Sequence, residues 1–546
     1  MMPKSSSIPS RVAAMLAAWL PPYSSPEFLA IIAAINLYVF HRFYLAPKLY
    51  WRRKGIPFEK YRPLVGSVSD AALSKKPIGE VYADIYNKHE GFRFVGFHKF
   101  TQPAILLRDP ELIKKIIVDD CQTNFPANEV TGDESLDPMF GRHLFAVSGD
   151  RWKELRDALS PGFAATKLRD IFNLLPEVCS DLKDHATHIL KANRGTWEVE
   201  LWELSTNFTT SAMSTFTLGV SCDAMSCPDT EVRKMGRLML EPTTSRVLSQ
   251  LIFLQIPWLA KLLRIPFVPR RVAEWFRKTV FEEVCRRERG NVERKDYMQM
   301  FIRLWKEGKL RPGDSQKIFH ENLEPEDLDD ITAAALAFFA DGSVTTGTLI
   351  SFALFELAHD KGLQESLRGE VWKAMEKHDG HLTYDALEKM KLMDMVLYET
   401  LRLYPPAPFM TRMCSADYHL GNPSADNNEY SSFTLQAGVP VVIPTYGIQR
   451  DPTYYPNPDE FDPQRFSPEA RKERNQFTYY PYGEGPRICI GHRLGFLMAK
   501  AAIATLLQNF ELHPHEKQSR SIKLDPRYFI TVAQGGLWVR FEFRDY

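Results

Sequence analysis

Apolar residues run almost without interruption from Phe28 to Phe40, "FLAIIAAINLYVF", with Asn36 alone breaking the run, and "HRFYL" carries the stretch to Leu45. That approaches the ~20 residues a helix needs to cross a bilayer. The pattern predicts a transmembrane anchor over residues 28–47, after a short N-terminal segment 1–27 and before a basic, proline-containing linker 48–64. Lys48, Arg52, Arg53 and Lys54 place the cytosolic side after the helix by the positive-inside rule, and Tyr50 and Trp51 suit the membrane interface. A competing reading is a transit peptide, because "MMPKSSSIPSRVAAMLAAWL" is basic, Ser-rich and free of acids.

Beyond the anchor the period changes twice. Short β-branched runs such as "FRFVGF" and "PAILL" between residues 65 and 120 predict a small sheet. Three- and four-residue apolar spacing then predicts helices in "GDRWKELRDAL", "LRDIFNLLPEVCSDLKDHATHILKA", the run 331–358 and "LTYDALEKMKLMDMVLYETLRLY". The acid-rich "LEPEDLDD", with Pro325, opens the 331–358 helix by setting carboxylates at the positive end of its dipole. After Pro405 prolines cluster and strands become short again, with a polar loop at 421–432. No repeat and no composition break divides residues 65–546, which read as one mainly α domain with small sheets.

Composition changes this picture little. Lys plus Arg and Asp plus Glu both number 68, so no bulk charge points to a nucleic-acid partner. The seven cysteines are odd in number and widely spread, without a zinc spacing, which argues for a reducing compartment and against a disulfide framework. The sequon at 207–209 is irrelevant on the cytosolic side.

The strongest local signal is "YPYGEGPRICIGHRLGFLMAK", residues 480–500. It is not a nucleotide loop: "GEGPRI" lacks the third glycine of a dinucleotide fingerprint, and the Gly-Lys-Ser/Thr of a P-loop is absent. A cysteine placed just before a helix, with Arg487 two residues upstream, is suited to hold a thiolate, since the dipole and free N–H groups favour negative charge. Such a thiolate can bind a metal.

Tyr482, Gly483, Gly485, Arg487, Cys489 and Gly491 together resemble the haem-binding loop of the cytochrome P450 family, with Tyr482 in place of the usual Phe. The resemblance implies that Cys489 is the metal ligand, that Arg487 contacts a haem propionate and that the glycines let the loop pack on the porphyrin. In "YETLRLYPPAPFMTR", Glu399 and Arg402 lie three apart on one helical face. With "FDPQRF" the segment resembles the family's buried triad, which implies Glu399, Arg402 and Arg465 behind the haem. By the same resemblance Arg412, Trp152 and Arg156 are further propionate contacts, and Gln449 stands where His is common. The likeness runs from about residue 50 to the C-terminus and is greatest to the microsomal animal subgroup that includes insect detoxification enzymes. It implies one haem b and electrons from NADPH through a P450 reductase, with cytochrome b5 as a second donor. It also implies an endoplasmic-reticulum location, the mitochondrion being the alternative.

In chemical terms a thiolate-bound haem activates oxygen, while the protein supplies dry walls and orientation. The expected walls, residues 128–145, the middle of the 331–358 helix, 406–411 and 528–533, are mainly apolar and suit a small lipophilic substrate. "LIFLQIPW" at 251–258 is a candidate to dip into lipid, and Lys153, the 471–474 run and Arg493 are a candidate basic surface for an acidic reductase. The leading function is a monooxygenase. A haem-thiolate dehydratase or isomerase acting on an oxime or other oxygenated substrate is the alternative, and a non-catalytic haem protein is the third.

"DGSVTTGT" departs from the family's usual pattern at its most chemical point. The resemblance puts Thr345 at the oxygen-activating threonine and Gly342 where the helix opens beside the iron. Val344 takes the position of the usual relay acid. Asp341, four residues before Thr345 and so on the same helical face, is the expected substitute proton donor or anchor for a polar group of the substrate. Burial there predicts a raised pKa for it.

Overall fold

The computed structural model describes residues 25–544 apart from 228, 312–315, 321 and 425–429. The candidate targeting segment 1–20 and the centre of the polar loop 421–432 therefore lie outside the described residues. In chain order the helices that position the site are α1 (Pro26–Phe40), α2 (Ala46–Lys54), α3 (Gly149–Leu159), α4 (Leu175–Ala192), α5 (Leu201–Met213), α6 (Thr244–Gln255), α7 (Pro257–Leu263), α8 (Asp329–His359), α9 (Lys391–Leu403) and α10 (His492–Asn509). The strands are β1 (Phe94–Lys99), β2 (Gln102–Leu107), β3 (Thr196–Glu200), β4 (Met410–Met413), β5 (Tyr418–Gly421), β6 (Phe433–Leu435), β7 (Pro440–Ile443), β8 (Phe510–Pro514) and β9 (Trp538–Phe543). They form sheets ordered β1-β2-β7-β4, β3-β9-β8 and β5-β6. The expected "FRFVGF" and "PAILL" runs pair as an antiparallel hairpin, Phe94 opposite Leu107, and β7 joins it in parallel with Ile105 opposite Val441.

One large apolar core lies among the helices and a second under the four-stranded sheet. α8 runs through the first. It begins two residues before the expected Ile331, after a 3-10 turn at Pro325–Leu328 closed by a capping box between Glu324 and Asp327. Arg277 and Arg142 hold its first two carboxylates, Asp329 at 2.6 Å and Asp330 at 3.0 Å. The helix expected over 168–192 is two helices, because Pro176 has no N–H to continue the first and instead opens α4.

The N-terminal helix differs from expectation at its far end. Helical residues continue from Pro26 to Lys54, through a π-helical turn at His41–Leu45. With mean hydropathy 1.6 and no burial in its most apolar window, this helix is long and apolar enough to cross a membrane. α8 also passes by length and composition, but it is mostly buried within the protein. Trp51, expected at a lipid interface, is 1% exposed: its Nε1 donates to the Phe97 carbonyl at 2.9 Å, and its ring lies where a Cβ on Gly96 would come within 2.5 Å. Tyr61 adds a hydrogen bond to the Phe43 carbonyl at 2.5 Å. The linker stretch 48–64 is thus held to the body at Trp51, Ile56, Pro57 and Tyr61, while most of its other residues are exposed. A tryptophan beside basic residues reads as interfacial only while the glycine that receives it, 45 positions away, is unknown.

Candidate active site

Cys489 lies at the entry to α10, whose N-cap is Gly491. The backbone N–H groups of Gly491 and His492 point at its sulfur, and its own N–H donates to the Tyr482 carbonyl at 2.9 Å, closing the loop. Gly483 and Gly485 both have positive φ. At Gly485 nothing larger fits, since a Cβ would meet the Ile117 carbonyl at 2.3 Å. Gly491 is different: a Cβ there touches only Phe163, at 3.7 Å, and what it contributes is its N–H. The thiol has accessible surface, but it opens onto an enclosed cleft. Burial pushes it up to about 11, against the two N–H groups and Arg156, with Asp341 adding to the rise. The Tyr482 ring stands 5.9 Å from His492 and 6.4 Å from Phe496, and burial followed by the nearby thiol holds its phenol well above the usual range.

Three arginines converge on this cleft from α3, β4 and the cysteine loop. Arg487 stacks on Trp152 at 4.3 Å and donates to the carbonyls of Pro126 (2.5 Å) and Val147 (2.9 Å), which ties the cysteine loop to both ends of the 128–145 loop. Desolvation, then Arg412 and Arg156, brings it down to about 10. Arg412 donates to Asn128 at 2.7 Å, lies beside the Cys121 thiol and leaves a buried Nε without a partner. Among the described residues no carboxylate lies within ion-pair distance of Arg156, Arg412 or Arg487. Cations held together without acids call for an anion. These donors fit a haem: the arginines would hold its two carboxylates and Cys489 would be its ligand.

Behind the cysteine loop, Glu399 and Arg402 are fully buried and paired through two bonds of 2.7 and 2.8 Å, and Arg465 reaches Glu399 at 3.5 Å. Arg402 also donates to the carbonyls of Gln449, Pro458 and Glu460. Gln449, completely buried, donates to the carbonyls of Leu401 and Arg402 and accepts the Tyr480 N–H. The glutamine at the expected histidine position therefore links α9 to the start of the cysteine loop. Its sequence signal was only a departure from a pattern.

α8 forms the opposite wall. Before its last residue, the accessible positions are Ala334, Asp341, Gly342 and Thr345, and their spacing puts them on one face. Thr346 is buried, its Oγ1 against Gly495 of α10. The Thr345 hydroxyl donates to the Asp341 carbonyl oxygen at 2.5 Å. The helix is uninterrupted at Gly342 and does not open there. A Cβ would come within 2.6 Å of Met213, so the glycine lets α5 and α8 pack closely. The burial expected for Asp341 is not found: its side chain is 69% accessible, and Oδ2 lies 3.4 Å from Nε2 of His143. His143, within a stretch named as pocket wall, was not singled out from sequence because its partner is 198 residues away.

A thiol at a helix start, near three arginines with no carboxylate in ion-pair distance among the described residues, is a set of groups that fits a thiolate-bound haem. A family model described as Cytochrome P450 matches residues 56–538. The chain belongs to that family, and it is a P450 monooxygenase, an oxidoreductase whose cofactor is haem. It is 36% identical over 512 residues to Cytochrome P450 9e2 of Blattella germanica, covering 91% of this chain and 94% of that one. It is 32% identical to Cytochrome P450 6k1 of the same insect (94% and 96% covered) and 30% identical to Cytochrome P450 6a2 of Drosophila melanogaster (94% and 98%).

Proposed function

We propose that this protein is a membrane-anchored monooxygenase of the endoplasmic reticulum that inserts one atom of O2 into a small lipophilic substrate, with electrons from NADPH delivered by a reductase. The observation that carries the reading is the Cys489 thiol at the start of α10 together with Arg156, Arg412 and Arg487, which have no acidic partners within ion-pair distance among the described residues. Cys489 is the ligand in this proposal, and the three arginines, with Trp152 stacked on Arg487, hold the propionates. The haem, when bound, supplies oxygen activation, favoured by thiolate donation to its iron. This chain's part is to seat the sulfur under two N–H groups, to neutralise buried carboxylates and to present the Thr345 hydroxyl and the Asp341 carboxylate on the accessible face of α8. Membrane insertion of α1, residues 1–27 ahead of it and a catalytic domain from residue 65 belong to the same proposal.

Lys153, Arg471, Lys472 and Arg493 are exposed and form the candidate docking charge for an acidic reductase or cytochrome b5. The expected result for the purified protein with a P450 reductase is NADPH and O2 consumption coupled to product from a lipophilic substrate. Turnover of an oxime or peroxide without O2 identifies the dehydratase chemistry instead.

Residues 251–258 carry the end of α6 and the start of α7, where Leu248, Trp258, Leu262 and Leu263 are exposed. Deleting residues 1–46 is expected to release most of the protein from membranes and to keep haem incorporation, because Trp51 is spared. Extending the cut through Trp51 is expected to cost about 3–5 kcal/mol, the scale of emptying a buried tryptophan site, read as a lower urea midpoint. A 1–46 deletion that stays fully membrane-bound makes the α6–α7 patch, or another surface, a second attachment.

A further inference from the structure

Of the four accessible positions on the buried helix α8 before its last residue, His359, only Asp341 carries an ionisable group. The one side chain within ion-pair distance of it, among the described residues, is His143, from the loop that follows the short helix Pro138–Gly141. His143 is 9% accessible in its side chain, and its Nδ1 lies 3.0 Å from the backbone nitrogen of Phe145. A backbone N–H can only donate, so Nδ1 is the acceptor and the ring proton sits on Nε2, the atom that faces Asp341. The imidazole in this tautomer brings no charge. Among the described residues no lysine or arginine lies within ion-pair distance of the Asp341 carboxylate. Rings pack on the histidine: Phe140, stacked on Phe267 at 4.2 Å, lies 6.0 Å from His143, and the exposed ring of Phe145 meets His143 edge-on at 6.5 Å.

We propose that the His143–Asp341 pair is the polar anchor of the substrate pocket and that the ligand class it selects is a lipophilic cation, an apolar body carrying a tertiary or quaternary ammonium group. The proposal rests on the reading of the cleft between α8 and Cys489 as the substrate site. A neutral hydroxyl satisfies one carboxylate oxygen and leaves the charge unmatched, whereas an ammonium group matches the charge and also gains from ring faces. Asp341 touches the ligand. His143 is a positioning residue: its Nε2, 3.4 Å from the carboxylate, keeps the 128–145 loop beside α8.

The test measures binding to the haem-loaded full-length protein by equilibrium dialysis. The probes are trimethyl(3-phenylpropyl)ammonium and its uncharged carbon isostere, (4,4-dimethylpentyl)benzene; a quaternary nitrogen has no lone pair with which to ligate a metal. The parent is expected to prefer the cation by about tenfold or more, the scale of a desolvated charge contact. Asp341→Asn keeps the shape, and keeps the carbonyl that Thr345 uses, so it is expected to lose that preference while its affinity for the isostere is unchanged. His143→Ala should lose part of the preference and His143→Gln, which keeps an N–H donor, should restore it. Equal affinity of the parent for both probes, or a preference that survives Asp341→Asn, overturns the proposal. The carbon monoxide spectrum of each preparation separates the two readings. A missing thiolate band counts against the haem site, whereas a normal band without cation preference counts against the anchor alone.

Discussion

Cys489→Ala is expected to abolish the red-shifted Soret band that the reduced protein gives with carbon monoxide. The band reports sulfur ligation, and Cys489 is the cysteine whose thiol meets two free N–H groups at a helix start. Burial holds the thiol at about 11, so metal binding must release its proton; the N–H groups, Arg156 and the metal's own charge favour the sulfur anion once it forms. Alanine removes the only atom at that position able to do this, and the loss is total. A normal band in the alanine variant would show that another residue is the ligand.

Glu399→Ala is expected to lower the unfolding free energy by about 3–5 kcal/mol, because it leaves Arg402 charged and fully buried without its partner. Set against a typical total of ~5–15 kcal/mol, that loss is a large fraction of the fold's stability. The measurement is the urea midpoint of the haem-loaded protein. Arg465→Ala, which removes a longer 3.5 Å contact to the same carboxylate, should cost less. Equal midpoints for the parent and Glu399→Ala would sink the claim. The pair is not a simple electrostatic gain, for burial raises the Glu399 carboxyl in spite of Arg402. What Arg402 adds is geometry, since it also gathers the carbonyls of Gln449, Pro458 and Glu460 around the approach to the cysteine loop.

The parts legible in the sequence were those whose cause is local. The β1–β2 hairpin follows from alternating β-branched runs, α8 from its acidic start and apolar length, and the Glu399–Arg402 pair from a three-residue helical spacing. The cysteine loop was readable because glycines, arginine and cysteine fall within ten residues. What was hidden depends on partners far along the chain. Gly342 was read through its neighbours in sequence, whereas its shape requirement comes from Met213. Asp341 was expected to be buried because its helix is, and only the packed structure shows that the helix has one open stripe. His143 carries no motif and Gln449 only departs from one; their importance lies in contacts with residues 198 and 47 to 48 positions away.

The seat of Trp51 has a mechanical consequence. α1, the turn at His41–Leu45 and α2 continue as helix to an indole packed on Gly96, so the N-terminal helix meets the sheet through a buried side chain and not through a free loop. With that helix standing in a bilayer, the body swings little. Gly96 then governs posture as much as packing, since any side chain there unseats the indole and turns the helix into a tether.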